Sequence, residues 1–434
     1  MMPSEAKCGL DKIRSTRPIV TVEENHRCSK LTIEALWRAG LLRRINQTKG
    51  AKFMYAYKSP WMTDEHEMFR DSVRRFIETE FVPNRERWIE RKHMEPEFWQ
   101  KAGEIGMLCP DIATEYGGAG GDFGFDAITY EELQRACISS FGNGIQSIVA
   151  HYLDVYAREE QKLRWLPGMA TGETITAIAM TEPNTGSDLQ AVKTTALRDG
   201  DEYVVNGSKT FITNGYNANL ICVICKTDPK EGAKGISLIM VETKDLDGFS
   251  RNPPLSKIGM KGQDTCELFF NDCRVPVANL IGAEEGKGFY QLMAQLPRER
   301  LIVAVSCVAI MEAALNLTID YTKERRAFNQ AIIEFQNTKF KLAEKKTETK
   351  IARVFLDHCI ERINAGELDA ETASMAKYWC SETQFNLVNE CLQLHGGYGY
   401  MMEYPIAHYF TDSRVQMIYA GSNEIMKELI SRSL

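Results

Sequence analysis

Residues 179–192 read AMTEPNTGSDLQAV, the end of a strand-like run followed by a loop rich in threonine, serine and glycine. This stretch lies within residues 172–282, a segment of short apolar or alternating runs rich in Val, Ile, Thr and Phe, with turn residues between them. The segment therefore predicts an all-β module. Inside it, the pair Asn206-Gly207 favours a tight β-hairpin turn.

Helical periodicity precedes and follows this module. Residues 64–82, DEHEMFRDSVRRFIETEFV, place apolar side chains at three- and four-residue spacing behind a capping residue, Thr63. Further helices are predicted around 97–105, 126–139 and 148–166, and again from the glycine-containing turn at 282–289 to the C-terminus. The predicted fold class is α+β. We expect an N-terminal extension at 1–58, an N-terminal helical domain at 59–171, a middle β domain at 172–282 and a C-terminal helical domain at 283–434.

The bulk composition limits the classes of partner. The chain has 434 residues and a formal net charge of −7, which argues against nucleic acid or an anionic membrane. Its longest apolar run, about 301–311, is too short to cross a bilayer, so we do not expect an integral membrane protein.

Among twelve cysteines, the one close pair, Cys222 and Cys225, is compatible with a redox or zinc half-site. We expect buried reduced thiols and no metal site, because no second CxxC motif is present.

The first 58 residues carry mixed signals. Residues 31–52, LTIEALWRAGLLRRINQTKGAK, are basic and amphipathic, as a mitochondrial transit segment is. Five acidic residues oppose that interpretation: Glu5, Asp11, Glu23, Glu24 and Glu34. We therefore expect a surface-lying or partly disordered extension. The expected compartment is a bacterial cytoplasm, with the mitochondrial matrix as the alternative.

Four stretches carry residue types suited to a cofactor. Residues 179–192 offer hydroxyls and open backbone N–H groups for an anion, and KTFITNG at 209–215 places an aromatic at a strand end. YTKERRAFNQAIIEFQ at 321–336 holds two arginines suited to a pyrophosphate, and LQLHGGYGYMMEYPI at 392–406 has paired glycines that allow close approach. Taken singly, each has an ordinary interpretation: a turn, a core aromatic, a solvated face and a helix stop.

Taken together, these stretches resemble the acyl-CoA dehydrogenase family from about Trp61 to the end, through the elements MTEP..GSD, ITNG, ER..F and LHGG.GY. The resemblance implies a flavoenzyme that holds FAD, a C-terminal four-helix bundle and a homotetramer. It assigns cofactor binding to Met180, Thr181, Ser187, Phe211, Ile212, Thr213, Arg325, Phe328, Gln336, Gln393, Gly396, Gly397, Ser422 and Glu424. Those from Arg325 to Gly397 would hold the ADP part of FAD, partly across a subunit interface.

The sequence departs from the family pattern at the catalytic base. Many members place a glutamate before the glycine of an IYEG motif, but residues 418–421 read IYAG, and Ala420 cannot accept a proton. The branch similar to long-chain and isovaleryl-CoA dehydrogenases carries its base in an L..ERL context. Glu299 matches that position in LPRERLIVAV, residues 296–305.

Two interpretations of Glu299 follow from its neighbours. In a helix, Ile302 and Val303 put the carboxylate over an apolar face, where desolvation raises its pKa as a base for a carbon acid requires. Alternatively, Glu299 is an early-turn charge that favours the helix dipole, with Arg298 and Arg300 as partners. The empty position at Ala420 favours the first.

The resemblance implies α,β-dehydrogenation of a saturated acyl-CoA, in fatty-acid or branched acyl-CoA oxidation. Glu299 would remove the α-proton, the β-hydrogen would pass to flavin as hydride, and trans-2-enoyl-CoA would leave. Substrate binding is assigned to Ser187, Arg300, Ala420 and Gly421, with the Ala420 N–H and a flavin ribityl hydroxyl donating to the thioester carbonyl. An electron-transferring flavoprotein would reoxidise FAD. An acyl-CoA oxidase and a non-catalytic flavin- or CoA-binding protein are the alternatives. The resemblance favours a long acyl chain.

Overall fold

The computed structural model describes residues 57–434, so the expectation for the N-terminal extension lies outside the described residues except at its last two positions. The described chain begins with helices and then forms one sheet. It ends with longer helices. This order matches the predicted α+β class, which is confirmed.

Within the described residues, the first part consists of six α-helices: α1 Asp64–Phe76, α2 Arg85–Arg91, α3 Pro96–Glu104, α4 Phe123–Arg135, α5 Asn143–Tyr156 and α6 Glu159–Thr171. Thr63 caps α1, since its hydroxyl accepts the His66 N–H, and a π-helical turn at Ile77–Phe81 follows α1. The helical signal over 148–166 corresponds to two helices. They separate at Ala157, and Arg158 then starts α6 by donating its N–H to the Gln161 side chain.

In the described part of the chain, the middle sheet has seven strands: β1 Thr176–Ala179, β2 Thr195–Asp199, β3 Glu202–Thr213, β4 Leu220–Lys226, β5 Ile236–Glu242, β6 Phe249–Arg251 and β7 Thr265–Pro276. Their order is β1-β4-β2-β3-β7-β6, and β5 pairs with β4. The β1–β4 pairing is parallel, while β3–β7 and β4–β5 are antiparallel. Strand β1 ends directly before the loop that begins at Met180.

The hairpin predicted at Asn206-Gly207 is wrong. Both residues lie inside β3, where the register against β7 shifts between Val205 and Gly207. A Cβ at Gly207 would lie 2.5 Å from the Thr194 hydroxyl, so glycine is required by close approach and not by a turn. The β2–β3 turn falls instead at residues 200–201, where Gly200 has φ +66°.

The C-terminal part contains α7 Gly288–Glu324, a short hairpin of β8 Arg326–Ala327 and β9 Gln330–Ala331, then α8 Gln336–Asn364, α9 Ala370–His395, α10 Pro405–Ser413 and α11 Asn423–Ser431. The three long helices α7, α8 and α9 pack on one another, and α10 and α11 pack on α9. By length and composition α7 is able to cross a membrane. However, 78% of its most apolar window is buried inside the protein, as in the core helix of a globular fold.

The largest core cluster joins all three parts. Leu301, Val305 and Val308 of α7 lie in one cluster with Tyr152 of α5 and Leu238 of β5, and all five are buried. Burying such side chains stabilises a fold by roughly 1.5–3 kcal/mol each. Because α7 is covered on every side from residue 299 to 311, the sequence after Arg300 is apolar except for Ser306 and shows no polar stripe.

The two close cysteines are free thiols. Cys222 and Cys225 are fully buried in β4, which confirms the interpretation as buried reduced thiols over a redox pair. Burial raises the pKa of the Cys222 thiol, so that sulfur is a neutral core group at neutral pH. Over residues 57–434, no group of three or more His, Cys, Asp or Glu side chains is arranged to hold a metal.

Candidate active site

Glu299 lies in α7, at the N-terminal edge of its fully covered stretch, and is 6% exposed. The Tyr152 hydroxyl of α5 donates a hydrogen bond of 2.8 Å to its Oε1. Burial raises the pKa of Glu299 to about 7, although Tyr152 and the more distant charge of Arg300 act to lower it. A carboxyl group with this pKa is able to exchange a proton near neutral pH.

The flanking arginines do not pair with Glu299. Arg298 donates from Nη2 to the carboxylates of Asp111 and Asp126, the second at 3.1 Å. Arg300 donates from Nη1 to the Ser374 hydroxyl of α9 at 3.2 Å. Within residues 57–434, no basic atom lies within 4 Å of the Glu299 carboxylate. The interpretation of Glu299 as a solvated early-turn charge with those two partners is therefore wrong.

Arg300 is itself buried, at 4% exposure, and in the described chain its Nε has no hydrogen-bond partner. Burial also lowers its pKa, against the attraction of the Glu299 charge. A buried donor without an acceptor is rare and costs about 1–3 kcal/mol. The predicted assignment of Arg300 to substrate binding would give that N–H an acceptor.

Ala420 lies in the loop between α10 and α11, half-buried, with φ +53°. Among the described residues its backbone N–H has no acceptor, unlike that of Tyr419, which donates to the Val415 carbonyl. Gly421 follows at φ +85°, and its carbonyl accepts from the buried amine of Lys377 on α9 at 2.7 Å. The Ala420 side chain cannot accept or donate a proton, but its backbone N–H is a free hydrogen-bond donor held in a left-handed conformation.

Ala420 and Met180 both pack against the large core cluster that contains Leu301 and Val303. The start of the 180 loop and the IYAG loop thus contact the same core cluster to which α7 contributes Leu301 and Val303. Lys377 strengthens this link, because it bonds to Gly421 and lies close enough to Arg300 for charge repulsion to act on its pKa.

The loop after β1 is fixed at one end and open at the other. The buried Lys209 amine donates to the Met180 carbonyl at 3.1 Å and to Glu182 at 2.9 Å, and the Thr181 carbonyl accepts the Thr210 N–H at 2.9 Å. Ser187, further along, is exposed. Met180 and Thr181 are therefore held in place, and the Ser187 hydroxyl is free to face a ligand.

The strand end at 211–213 is irregular. The register of β3 shifts again between Lys209 and Ile212, and Phe211 adopts φ +59° with its side chain 67% exposed. The ordinary interpretation of Phe211 as a core aromatic is therefore wrong. Ile212 is the buried member, at 2% exposure, and Thr213 is half-buried. An exposed aromatic held by a bulge suits contact with a flat ring, as the flavin assignment requires.

A second group of predicted cofactor residues lies at the far end of α7. The Arg325 guanidinium lies 5.7 Å from the centroid of the Tyr398 ring. Tyr398 directly follows Gly396 and Gly397, which come at the end of α9. A Cβ at either glycine would meet nothing within 4 Å. Phe328, 90% exposed, forms the tip of the β8–β9 hairpin. Gln336 and Gln393 are also exposed, and Ser422 caps α11 with Glu424 in its first turn.

These residues fit FAD as a donor set. The open glycines and the exposed arginine suit a pyrophosphate and an adenosine, while the hydroxyl-rich loop and Phe211 suit the flavin end.

Two further residues were not identified from the sequence. Tyr152 lies 147 residues from Glu299, and Lys377 lies 44 residues from Gly421. Neither stands in a motif that identifies its partner. The one available signal was a lysine at a position of α9 that faces inward by helical spacing, between Ser374 and Cys380.

Comparison with known proteins places this chain in a family. The acyl-CoA dehydrogenase N-terminal, middle and C-terminal domain families match residues 63–173, 177–273 and 286–434. The chain is 45% identical over 375 residues to the mitochondrial long-chain specific acyl-CoA dehydrogenase of Rattus norvegicus, covering 86% of this chain and 87% of that one. It is 39% identical over 377 residues to the acryloyl-CoA reductase (NADH) of Anaerotignum propionicum, covering 86% and 95%.

A solved structure agrees. The acyl-CoA dehydrogenase of Geobacillus kaustophilus aligns with a TM-score of 0.85 at 48% identity, covering 87% of this chain and 99% of that one. The chain therefore belongs to the acyl-CoA dehydrogenase family and is an FAD-dependent oxidoreductase.

Proposed function

We propose that the chain oxidises a saturated acyl-CoA thioester to the trans-2-enoyl-CoA, with Glu299 as the base that removes the α-proton. The observation that supports this most strongly is the environment of Glu299: a buried carboxyl with one tyrosine donor and, in the described chain, no ion pair. Because position 420 is alanine, Glu299 is the carboxylate that matches a base position of the family.

The pKa of Glu299 suits this role. A base works best when its pKa lies near the working pH, because it must be ionised and still bind the proton strongly. At about 7, the Glu299 carboxyl is largely ionised at pH 8 and holds an abstracted proton far better than an exposed glutamate does. Tyr152 fixes Oε1, so the second carboxylate oxygen is left to face the substrate carbon.

The thioester carbonyl requires donors where enolate charge develops. The Ala420 N–H supplies one, since it has no other acceptor in the described chain. A preorganised backbone donor of this kind is worth roughly 100- to 1,000-fold in rate. Ser187, Arg300 and Gly421 complete the proposed substrate contacts. When bound, FAD supplies the oxidant that takes up the β-hydrogen with its electron pair.

The proposed substrate is a long-chain acyl-CoA, supported by the 45% identity to a rat relative named long-chain specific. The proposed electron acceptor is an electron-transferring flavoprotein. We also propose a homotetramer, as the family resemblance implies. Phe340, Ile351 and Val354 of α8, each about half exposed, would lie in one of its subunit interfaces. The proposed compartment is a bacterial cytoplasm, with the mitochondrial matrix as the alternative.

Two alternative reactions at the same site are the reverse reaction, which reduces an enoyl-CoA, and oxidation of the acyl-CoA with oxygen as the electron acceptor. A relative at 39% identity is named acryloyl-CoA reductase (NADH), and in that direction Glu299 would deliver the α-proton. Enoyl-CoA consumption with NADH would favour a reductase, and hydrogen peroxide release would favour an oxidase. Tight acyl-CoA binding without flavin reduction would favour a non-catalytic protein.

The test is anaerobic flavin bleaching with a panel of saturated acyl-CoAs of increasing length. Glu299→Gln keeps the acceptor for Tyr152 but removes the base, so we expect the bleaching rate to fall by about 1,000-fold or more with flavin content unchanged. The matched control is Glu284→Gln, an exposed glutamate just before α7, which should bleach normally. Normal bleaching by Glu299→Gln would remove it from the mechanism.

A further inference from the structure

Lys377 is one of two buried lysines in the described part of the chain, and the two differ in their partners. Lys209 forms an ion pair with Glu182 at 2.9 Å. Lys377 has 0% exposure, and among residues 57–434 no carboxylate lies within 4 Å of its amine. Burying an ammonium group without a counterion is costly, so its hydrogen bonds must explain why it is there.

The partners of Lys377 lie around the IYAG loop. Its Nζ donates to the Gly421 carbonyl at 2.7 Å and to Asn423 Oδ1 at 2.9 Å. The Asn423 amide in turn donates to the Ser381 hydroxyl at 3.0 Å, one helical turn after Lys377 on α9. The loop is thus fixed to α9 directly after Ala420.

The same loop is fixed to α7 just before Ala420. The Cys307 thiol donates to Gln416 Oε1 at 2.6 Å, and both groups are buried. Cys307 lies eight residues after Glu299 on one continuous helix, about 12 Å along its axis. The base and the loop that follows Gln416 therefore share one rigid frame, closed by Lys377 on the other side.

We infer that Lys377 is a positioning residue that holds the Gly421 carbonyl and thereby orients the Ala420 N–H toward the thioester oxygen. The inference rests on the proposed function, in which that N–H polarises the substrate. The Ala420 N–H and the Gly421 carbonyl belong to different peptide units, which are joined through the left-handed residues Ala420 and Gly421. This short segment has few other restraints, since the Ala420 N–H donates no hydrogen bond to the described chain. Removing the Lys377 amine would let the segment rotate while leaving the base in place.

The test uses the FAD-loaded protein and a chromophoric aryl-substituted 2-enoyl-CoA, whose absorption moves to longer wavelength when its thioester carbonyl is polarised. Lys377→Met removes the donor at similar volume, and Lys377→Gln keeps an uncharged donor. Lys427→Met is the matched control, an exposed lysine on α11 paired with Glu382. The shift is measured with flavin content, kcat and KM.

We expect the parent chain and Lys427→Met to give the full wavelength shift. Lys377→Met should lose more than half of the wavelength shift, and its kcat should fall by about 10- to 100-fold, while KM and flavin content stay nearly unchanged. Lys377→Gln should give intermediate values of the shift and of kcat. A full shift and full kcat in Lys377→Met would overturn the inference and leave the proposed function standing. If that variant does not fold, the same readings on Lys377→Gln decide. No shift in the parent chain would overturn both.

Discussion

Under the proposed function, Glu299 and Ala420 contribute to one site by opposite means. Glu299 acts through its side chain, from a long helix whose surroundings are apolar and tightly packed. Ala420 lies in a half-buried loop with a left-handed backbone, and the backbone N–H is the group that it offers. Proton abstraction needs a desolvated carboxyl, whereas carbonyl polarisation needs a fixed donor. The first depends on core packing and the second on how a loop is held.

Moving the carboxyl from one region to the other would test this division most severely. In a Glu299→Gln background, Ala420→Glu places a carboxylate at the other family position, and we expect bleaching to recover by about 10- to 100-fold over Glu299→Gln alone. The single variant Ala420→Ser should stay within about threefold of the parent, because the N–H remains. Anaerobic flavin reduction measures these variants and, as a control, Ala420→Ser in the Glu299→Gln background. Recovery by Ala420→Ser in the same background would contradict the assignment.

Tyr152 offers a smaller and more selective change. Tyr152→Phe removes the donor that lowers the pKa of Glu299, so that pKa should rise above its present value of about 7. Because the base must be ionised, the rising limb of kcat/KM should move to higher pH. The rate should fall by about tenfold at pH 7 and recover at alkaline pH. A matched change of Tyr156, to Phe, should leave the pH profile unmoved.

Stability gives the smallest of these effects. The pKa of Glu299 is higher in the folded chain, about 7, than the 4.5 expected when unfolded, so the folded state binds more protons between these values. Ionising the buried carboxyl therefore costs stability as pH rises through this window, about 3 kcal/mol in all at about 1.4 kcal/mol per pH unit.

Glu299→Gln has no such cost. Its melting temperature should exceed that of the parent at pH 8, and the advantage should disappear as pH falls toward 4.5. Scanning calorimetry or flavin-fluorescence melting of the two proteins side by side would measure it. A difference that is the same at both pH values would mean that Glu299 is not buried as a neutral acid.

These contrasts also show what sequence alone could predict. The helical and strand segments and the apolar setting of Glu299 follow from local periodicity, because the residues that matter lie within one or two turns. The partner Tyr152 does not, since the contact spans 147 residues. The wrongly predicted hairpin has the same cause. Gly207 is required because Thr194 packs against it in the fold, whereas the local sequence Asn206-Gly207 is typical of a turn.

The cofactor residues divide in a similar way. Motif matching assigned Phe211 and Gly396 to FAD, but it did not predict that Phe211 is exposed on a bulge or that Gly396 has open space before it. The contacts of Arg298 and Lys377 depend on partners far along the chain, Asp111 and Asp126 for one and the 421–423 turn for the other. Long-range packing sets these roles, so short sequence patterns do not show them.

The most direct measurement is hydrogen exchange at the substrate's α-carbon, without oxidation. A 3-thia-acyl-CoA has an acidic α-position and no β-hydrogen to lose, so the FAD-loaded protein in D₂O can only exchange its α-protons. We predict rapid exchange by the parent chain and by Ala420→Ser, and a rate lower by about 1,000-fold or more in Glu299→Gln. Exchange at the parent rate in Glu299→Gln would contradict the account, because some other group would then be removing the proton.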